Sequence, residues 1–130
     1  MDKQTVTDYL LKKPFTSVTQ PFGDNVDVFK VKDKMFATLS LGNGNEKGTN
    51  GKMAGYYCIN LKCDPNEALA LRDIFDAVIP TYHMNKKLWN TVILNDSIPK
   101  GEIERMIDNS FLLVVNKMTK KEQKLISMHL

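Results

Sequence analysis

The chain has 130 residues, of which 42% are hydrophobic and 25% charged, the size and mixture of a single globular domain. Such a length buries roughly 65–70% of the surface its unfolded chain exposes, so folding requires neither metal nor disulfide. No apolar run approaches the ~18–20 residues of a membrane span, the N-terminus lacks a signal-like apolar core, and two cysteines make no disulfide framework, which points to a cytoplasmic protein.

The net charge of +3 belongs to the C-terminus. Residues 117–130 carry four lysines against Glu122, and residues 1–116 hold 14 basic and 14 acidic side chains. The body of the domain is therefore neutral in sum, whereas a dedicated duplex binder more often has a clearly basic face.

Residues 2–13 read as a short helix with Val6, Tyr9 and Leu10 on one side, stopped by Pro14. Residues 16–22 and 26–32 are rich in Val, Thr and Phe and read as extended, with Gly23-Asp24-Asn25 as their turn. Lys32-Asp33-Lys34 leads tightly into a strand whose Met35, Ala37, Leu39 and Leu41 alternate onto one face, the pattern of a half-buried strand. Gly42 to Gly51 has four glycines and three asparagines and reads as a mobile hairpin loop. The chain returns through 56–63, where Tyr57, Ile59, Leu61 and Cys63 share a face.

The next helix starts with Asp64 as N-cap, Pro65 in the first turn and Glu67 completing a capping box, and its apolar stripe is Ala68, Leu71, Ile74, Phe75 and Val78. Pro80 opens a turn, 88–94 forms a further strand, and Asn95-Asp96-Ser97 turns into a last helix from Pro99 to about Met118. Its inward stripe is Ile103, Met106, Ile107, Ser110, Val114 and Met118, with the Ser110 hydroxyl bonded back to its own preceding turn. The expected organisation is one α+β domain over 1–118, a two-layer antiparallel sheet with helices on one face, followed by a lysine-rich tail over 119–130.

Chemistry-bearing patterns are sparse. Cys58 and Cys63 lie an odd number of residues apart, without metal-ligand spacing, so no metal site is expected. Gly42-Asn43-Gly44 lacks the lysine and following helix of a phosphate loop, so no nucleotide cofactor is expected. Nothing pairs His83 with Cys58 or Ser110 as base and nucleophile, and the expectation is a protein with no catalytic residues. The segment 80–90 stands apart. Tyr82, His83 and Trp89 offer stacking faces, Lys86 and Lys87 offer charge, and Asn85 and Asn90 offer amides, a set suited to a nucleic-acid backbone or an exposed base. The same residues also suit a packed Trp89 and a turn held by Asn85.

Lys34-Met35-Phe36-Ala37, Asn60-Leu61-Lys62-Cys63-Asp64-Pro65, Tyr82-His83-Met84-Asn85-Lys86 with Trp89-Asn90-Thr91, and Ser110-Phe111 with Leu113-Val114 occur in this order. In these blocks the chain resembles the MmcQ/YjbR family over about residues 5–118. The resemblance implies a frataxin-like (CyaY-like) α+β fold with a "double wing" of hairpins, and a DNA-binding role attached to that geometry. Two departures stand out: the long glycine-rich loop, and Phe111 where a tyrosine is common. The expected function is that of a monomeric, non-enzymatic DNA-binding protein using Lys30, Lys32, Lys34, Lys47, Lys52, Lys86 and Lys87. The alternative is a protein- or small-ligand-binding module built on Tyr82, His83, Asn85, Trp89 and Asn90.

Overall fold

Lys32 and Asp33 take positive φ (45° and 67°), the twist a two-residue hairpin needs, and they join the first long pair of strands. A computed structural model describes residues 1–130. Helix α1 (Lys3–Leu11) is followed by strands β1 (Thr16–Thr19), β2 (Val26–Val31), β3 (Lys34–Leu41) and β4 (Tyr57–Lys62). Then come α2 (Pro65–Ile74), β5 (Val78–Pro80), β6 (Trp89–Ile93), α3 (Lys100–Val115) and α4 (Lys120–Ser127). The strands form one sheet in the order β1-β2-β3-β4-β6-β5, and every pairing is antiparallel. The fold is α+β, as the turn-rich strand pattern implies.

The three-residue β5 escapes the sequence reading, because Val78 continues the spacing of the α2 stripe and Pro80 looks like a breaker. Helix α2 ends at Ile74, which is 67% exposed, and Val78 opens the edge strand. A proline is tolerated there because an edge strand has one side without ladder bonds. Asp64 caps α2 by accepting from the Asn66 and Glu67 amides, at 3.0 and 3.4 Å. The reciprocal half of the box does not form, since the Glu67 carboxylate goes to Arg105 at 2.6 Å.

One face of the sheet presents Phe29, Ala37, Leu39, Ile59, Leu61 and Val92 to the helices. They join Val6 and Leu10 of α1, Leu71 of α2 and Ile107 and Phe111 of α3 in a core of 27 buried residues. Phe36 meets Phe111 edge-on at 5.4 Å. The β2–β3 register skips here: Phe29 pairs with Ala37, and Lys30 with Met35, so Phe36 is a bulge. On the other side of the strand the β3–β4 pairing stops at Ala37–Leu61, which leaves the Phe36 carbonyl and the Lys62 amide without each other. Ser110 repairs this, donating from Oγ to the Phe36 oxygen (2.6 Å) while accepting the Lys62 amide (2.9 Å). The expected back-bond within α3 is thus replaced by a link from α3 to two strands.

The opposite face is covered as well, so β3 is not half-buried. Phe36 to Leu39 are all buried, and Leu41 is 53% exposed. Thr38, Asn60 and Thr91 line up across β3, β4 and β6. Asn60 donates to Thr38 (2.9 Å), Thr91 donates to Asn60 (2.6 Å), and Thr81 lies 2.9 Å from Thr91. Thr91 has one hydroxyl proton and gives it to Asn60, so Thr81 is the donor in the last bond. The segment Gly42–Gly51, read as mobile, packs against this side together with the residues that follow it to Tyr56. Thr49 and Met53 are buried, Lys52 reaches Asp76, and Gly48 abuts the Tyr82 ring, where an added Cβ would come within 3.2 Å. At Gly42 a Cβ would fall 2.0 Å from the Met53 carbonyl oxygen, so only glycine fits.

The tail folds too. Thr119 and Glu122 form a complete capping box for α4, and Ile126 is fully buried. None of the helices is long and apolar enough to cross a membrane.

Two stability predictions follow from these bonds. Ser110→Ala strands a buried carbonyl, at roughly 1–3 kcal/mol, and adds a smaller loss at the partly buried Lys62 amide, and urea denaturation will show the sum. In the polar chain, Asn60→Ala orphans groups on both sides and costs more than Thr81→Val, which removes only the terminal donor, at about 1 kcal/mol. Equal losses for the two variants would contradict the bonding order.

Candidate nucleic-acid interface

Antiparallel pairing sends alternate turns to opposite ends of the sheet. At what we term the basal end lie the β2–β3 turn, the close of β4 at Lys62, the close of β5 and the start of β6. Lys32 lies in that turn with Lys30 and Lys34 on either side, and Lys86 and Lys87 shortly precede β6, so five of the seven expected lysines gather there. Helix α3 runs toward the same end, as its Ser110 contact with Phe36 and Lys62 requires, and it brings Lys117 there. Asp64 at this end spends its carboxylate on the α2 amides, and Asp33 sits in the turn itself.

The other two lysines separate. Lys52 lies toward the far end and is held by Asp76, donating to its carboxylate at 3.0 Å and to its backbone carbonyl at 2.6 Å. Lys47 is exposed, and its neighbour Gly48 lies against Tyr82, which places it on the side of Lys86. The far end carries both signs: Asp2 caps α1 beside Lys3, and Asp96 and Glu102 lie either side of Lys100 at the start of α3.

The aromatic residues of 80–90 are less available than their sequence suggests. Trp89 is 8% exposed, and Asn90 is 2% exposed. Asn90 accepts from Arg72 Nε at 2.7 Å and donates to the Ala68 carbonyl at 3.4 Å. Arg72 also donates to the Lys86 and Trp89 carbonyls, so one guanidinium ties α2 to the segment before β6. Asn85 holds the turn, its side chain accepting the Lys87 amide at 3.0 Å. Tyr82 is 39% exposed, but Lys86 Nζ stands 4.8 Å from its ring centroid and Gly48 also abuts the ring. Phe15 is likewise engaged by Lys32 at 5.1 Å and by the edge of His129 at 5.3 Å. His83 remains exposed.

Two lysines of this end, Lys62 and Lys117, were not among those expected from the turns, because Lys62 closes a strand and Lys117 falls at the end of the last helix. Burial, and then the nearby Lys117 charge, hold the Lys62 ammonium below the usual lysine range. The cysteines are inert by the same physics. Burial pushes the Cys58 thiol up to about 12, with Glu46 adding to the rise, and burial pushes Cys63 up to about 11. A raised thiol pKa means little thiolate near neutrality. Folded protein at pH 8 should therefore react with a disulfide reagent far more slowly than urea-unfolded protein, and rapid labelling of the native state would contradict this burial.

The model of the YjbR family matches residues 11–113. The chain is 34% identical over 128 residues to YbdF of Escherichia coli O157:H7, covering 95% of this chain and 96% of that protein. To YjbR of Escherichia coli K12 it is 35% identical over 97 residues, covering 75% of this chain and 73% of that one. Among solved structures, a Deinococcus radiodurans protein with the DUF419 domain superposes with a TM-score of 0.79 at 29% identity, over 97% of this chain and 88% of that chain. A Pseudomonas syringae protein gives 0.76 at 34% identity, over 87% and 98%. With the family's model spanning most of the domain and a relative matched along nearly its whole length, the chain belongs to the YjbR family.

Proposed function

We propose that this protein is a non-enzymatic DNA-binding protein that grips duplex phosphates with the basal end of its sheet. The observation that carries the reading is the gathering of Lys30, Lys32, Lys34, Lys86 and Lys87 at one end of a domain whose first 116 residues are neutral in sum. A charge separation of this kind steers a polyanion to one end without making the whole surface basic. Affinity then comes from counterion release as lysines neutralise phosphates.

The rings argue for duplex over single strand. Binding to unpaired bases uses open aromatic faces. Here Trp89 is buried, and Tyr82 and Phe15 already have lysines over their rings. Lysine as a point charge holds phosphate without reading base edges, so sequence preference is weak. A small-ligand pocket on the 80–90 segment finds less support, since Trp89 is buried and Asn90 is committed to Arg72 and Ala68.

Anisotropy of a labelled duplex about two helical turns long tests the reading. Five phosphate contacts predict a slope of about −4.5 in log K against log salt, and Lys34→Gln or Lys86→Gln should each flatten it by about 0.9. Lys52→Gln, which removes a lysine already paired with Asp76, should change it little. No binding by folded protein at about 50 mM salt would overturn the reading. So would tighter binding to single strand that is lost in Tyr82→Ala.

A further inference from the structure

Lys62 and Lys117 lie outside the set used above, and their setting differs from that of the turn lysines. Lys62 is the last residue of β4, and its amide is fixed by the Ser110 hydroxyl. Lys117 follows Ser110 by seven residues, two turns along the same helix face. The helical path persists past the end of α3, with the Lys117 amide bonded to the Val114 carbonyl at 3.2 Å. Lys117 therefore overhangs the end of β4.

Neither ammonium is in an ion pair; the lysines that are paired are Lys13 and Lys52. The carbonyls of the turn after α3 are likewise served by another side chain, Gln123 Nε2 donating to Asn116 and Met118 at 3.2 and 2.9 Å. Ser110 ties the strand end that carries Lys62 to the helix that carries Lys117, so two lysines without a carboxylate partner are brought to one place. The influences on Lys62 are burial and Lys117, both disfavouring its charge, with no carboxylate opposing them. A group carrying negative charge between them removes the repulsion and accepts hydrogen bonds from both.

We propose that Lys62 and Lys117 form a seat for a single phosphate group, occupied by one phosphodiester of the bound duplex. The inference rests on the DNA-binding reading and adds to it a fixed point of contact. The turn lysines are carried on two hairpins, β2–β3 and β5–β6. This pair is carried on β4 and α3, which Ser110 joins, so it sets where the duplex lies against the domain.

The test uses the full chain, Lys62→Gln, Lys117→Gln and, as a remote control, Lys100→Gln at the opposite end of α3. Each variant is first checked for native circular dichroism. Inorganic phosphate is titrated while lysine side-chain resonances are followed by NMR, and duplex binding is measured across salt. The expected result is saturable shifting of the Lys62 and Lys117 signals together, abolished by either substitution. Each of the two substitutions also flattens the duplex salt slope by about one, and Lys100→Gln leaves it unchanged. Phosphate that shifts all lysines alike, without saturation, overturns the seat. A wild-type duplex slope that neither Lys62→Gln nor Lys117→Gln alters overturns the seat and leaves the DNA-binding reading standing. Saturable phosphate binding at the pair without any duplex binding supports the seat as a phosphate site and overturns the DNA-binding reading.

Discussion

Where the pairing of β3 with β4 stops, a carbonyl and an amide are left over, and one hydroxyl satisfies both. Phe36 sits opposite no residue of β2, and its carbonyl turns to Ser110. Ser110 Oγ in turn accepts the amide of Lys62 on the neighbouring strand. A hydroxyl can serve as donor and acceptor at once, which no apolar residue of that size can do. Helix α3 is thereby held to β3 and β4 at one level along its axis. That level decides where its C-terminal turn ends, how α4 comes to bury Ile126, and which side chains meet at the basal end.

The distribution of charge depends on this framework. In a sheet whose neighbours are all antiparallel, each turn is assigned to one end by the parity of the strands. The lysine-rich β2–β3 turn and the segment before β6 share an end although more than fifty residues of sequence separate them. A sum over the chain returns neutrality because Asp76, Asp96 and Glu102 lie elsewhere. Composition counts charges, and topology separates them.

Apart from β5 and α4, the element order was legible from residues with direct mechanical meaning: Asp64 and Pro65 opening α2, Lys32-Asp33 turning between strands, and Ile103, Ile107 and Val114 spaced along α3. What escaped reading depends on contacts distant in sequence. Ile74 fits an apolar stripe, but its helix ends there and leaves it in solvent. Ser110 looks like an ordinary helical serine until a bulge 74 residues away supplies its partner. Asn90 and Trp89 have the right chemistry for recognition, yet Arg72 and burial claim them. The glycine-rich loop lacks regular structure, as its composition requires, and is packed nonetheless, because Gly42 and Gly48 permit approaches closer than a side chain would allow.

The row Thr81–Thr91–Asn60–Thr38 bears on how the strands find their alignment. Register is ordinarily enforced by alternation, since a one-residue slip turns an apolar face outward. Strands β4 and β6 are buried on both sides, and that penalty is weakened for them. A hydrogen-bonded row of unlike side chains provides an alternative key. If β6 slides by one residue against β4, Asn60 faces Asn90 or Val92 in place of Thr91, and its carbonyl loses its hydroxyl donor. The polar row makes misaligned sheets costlier than the native one and so narrows an otherwise greasy set of pairings to a single choice.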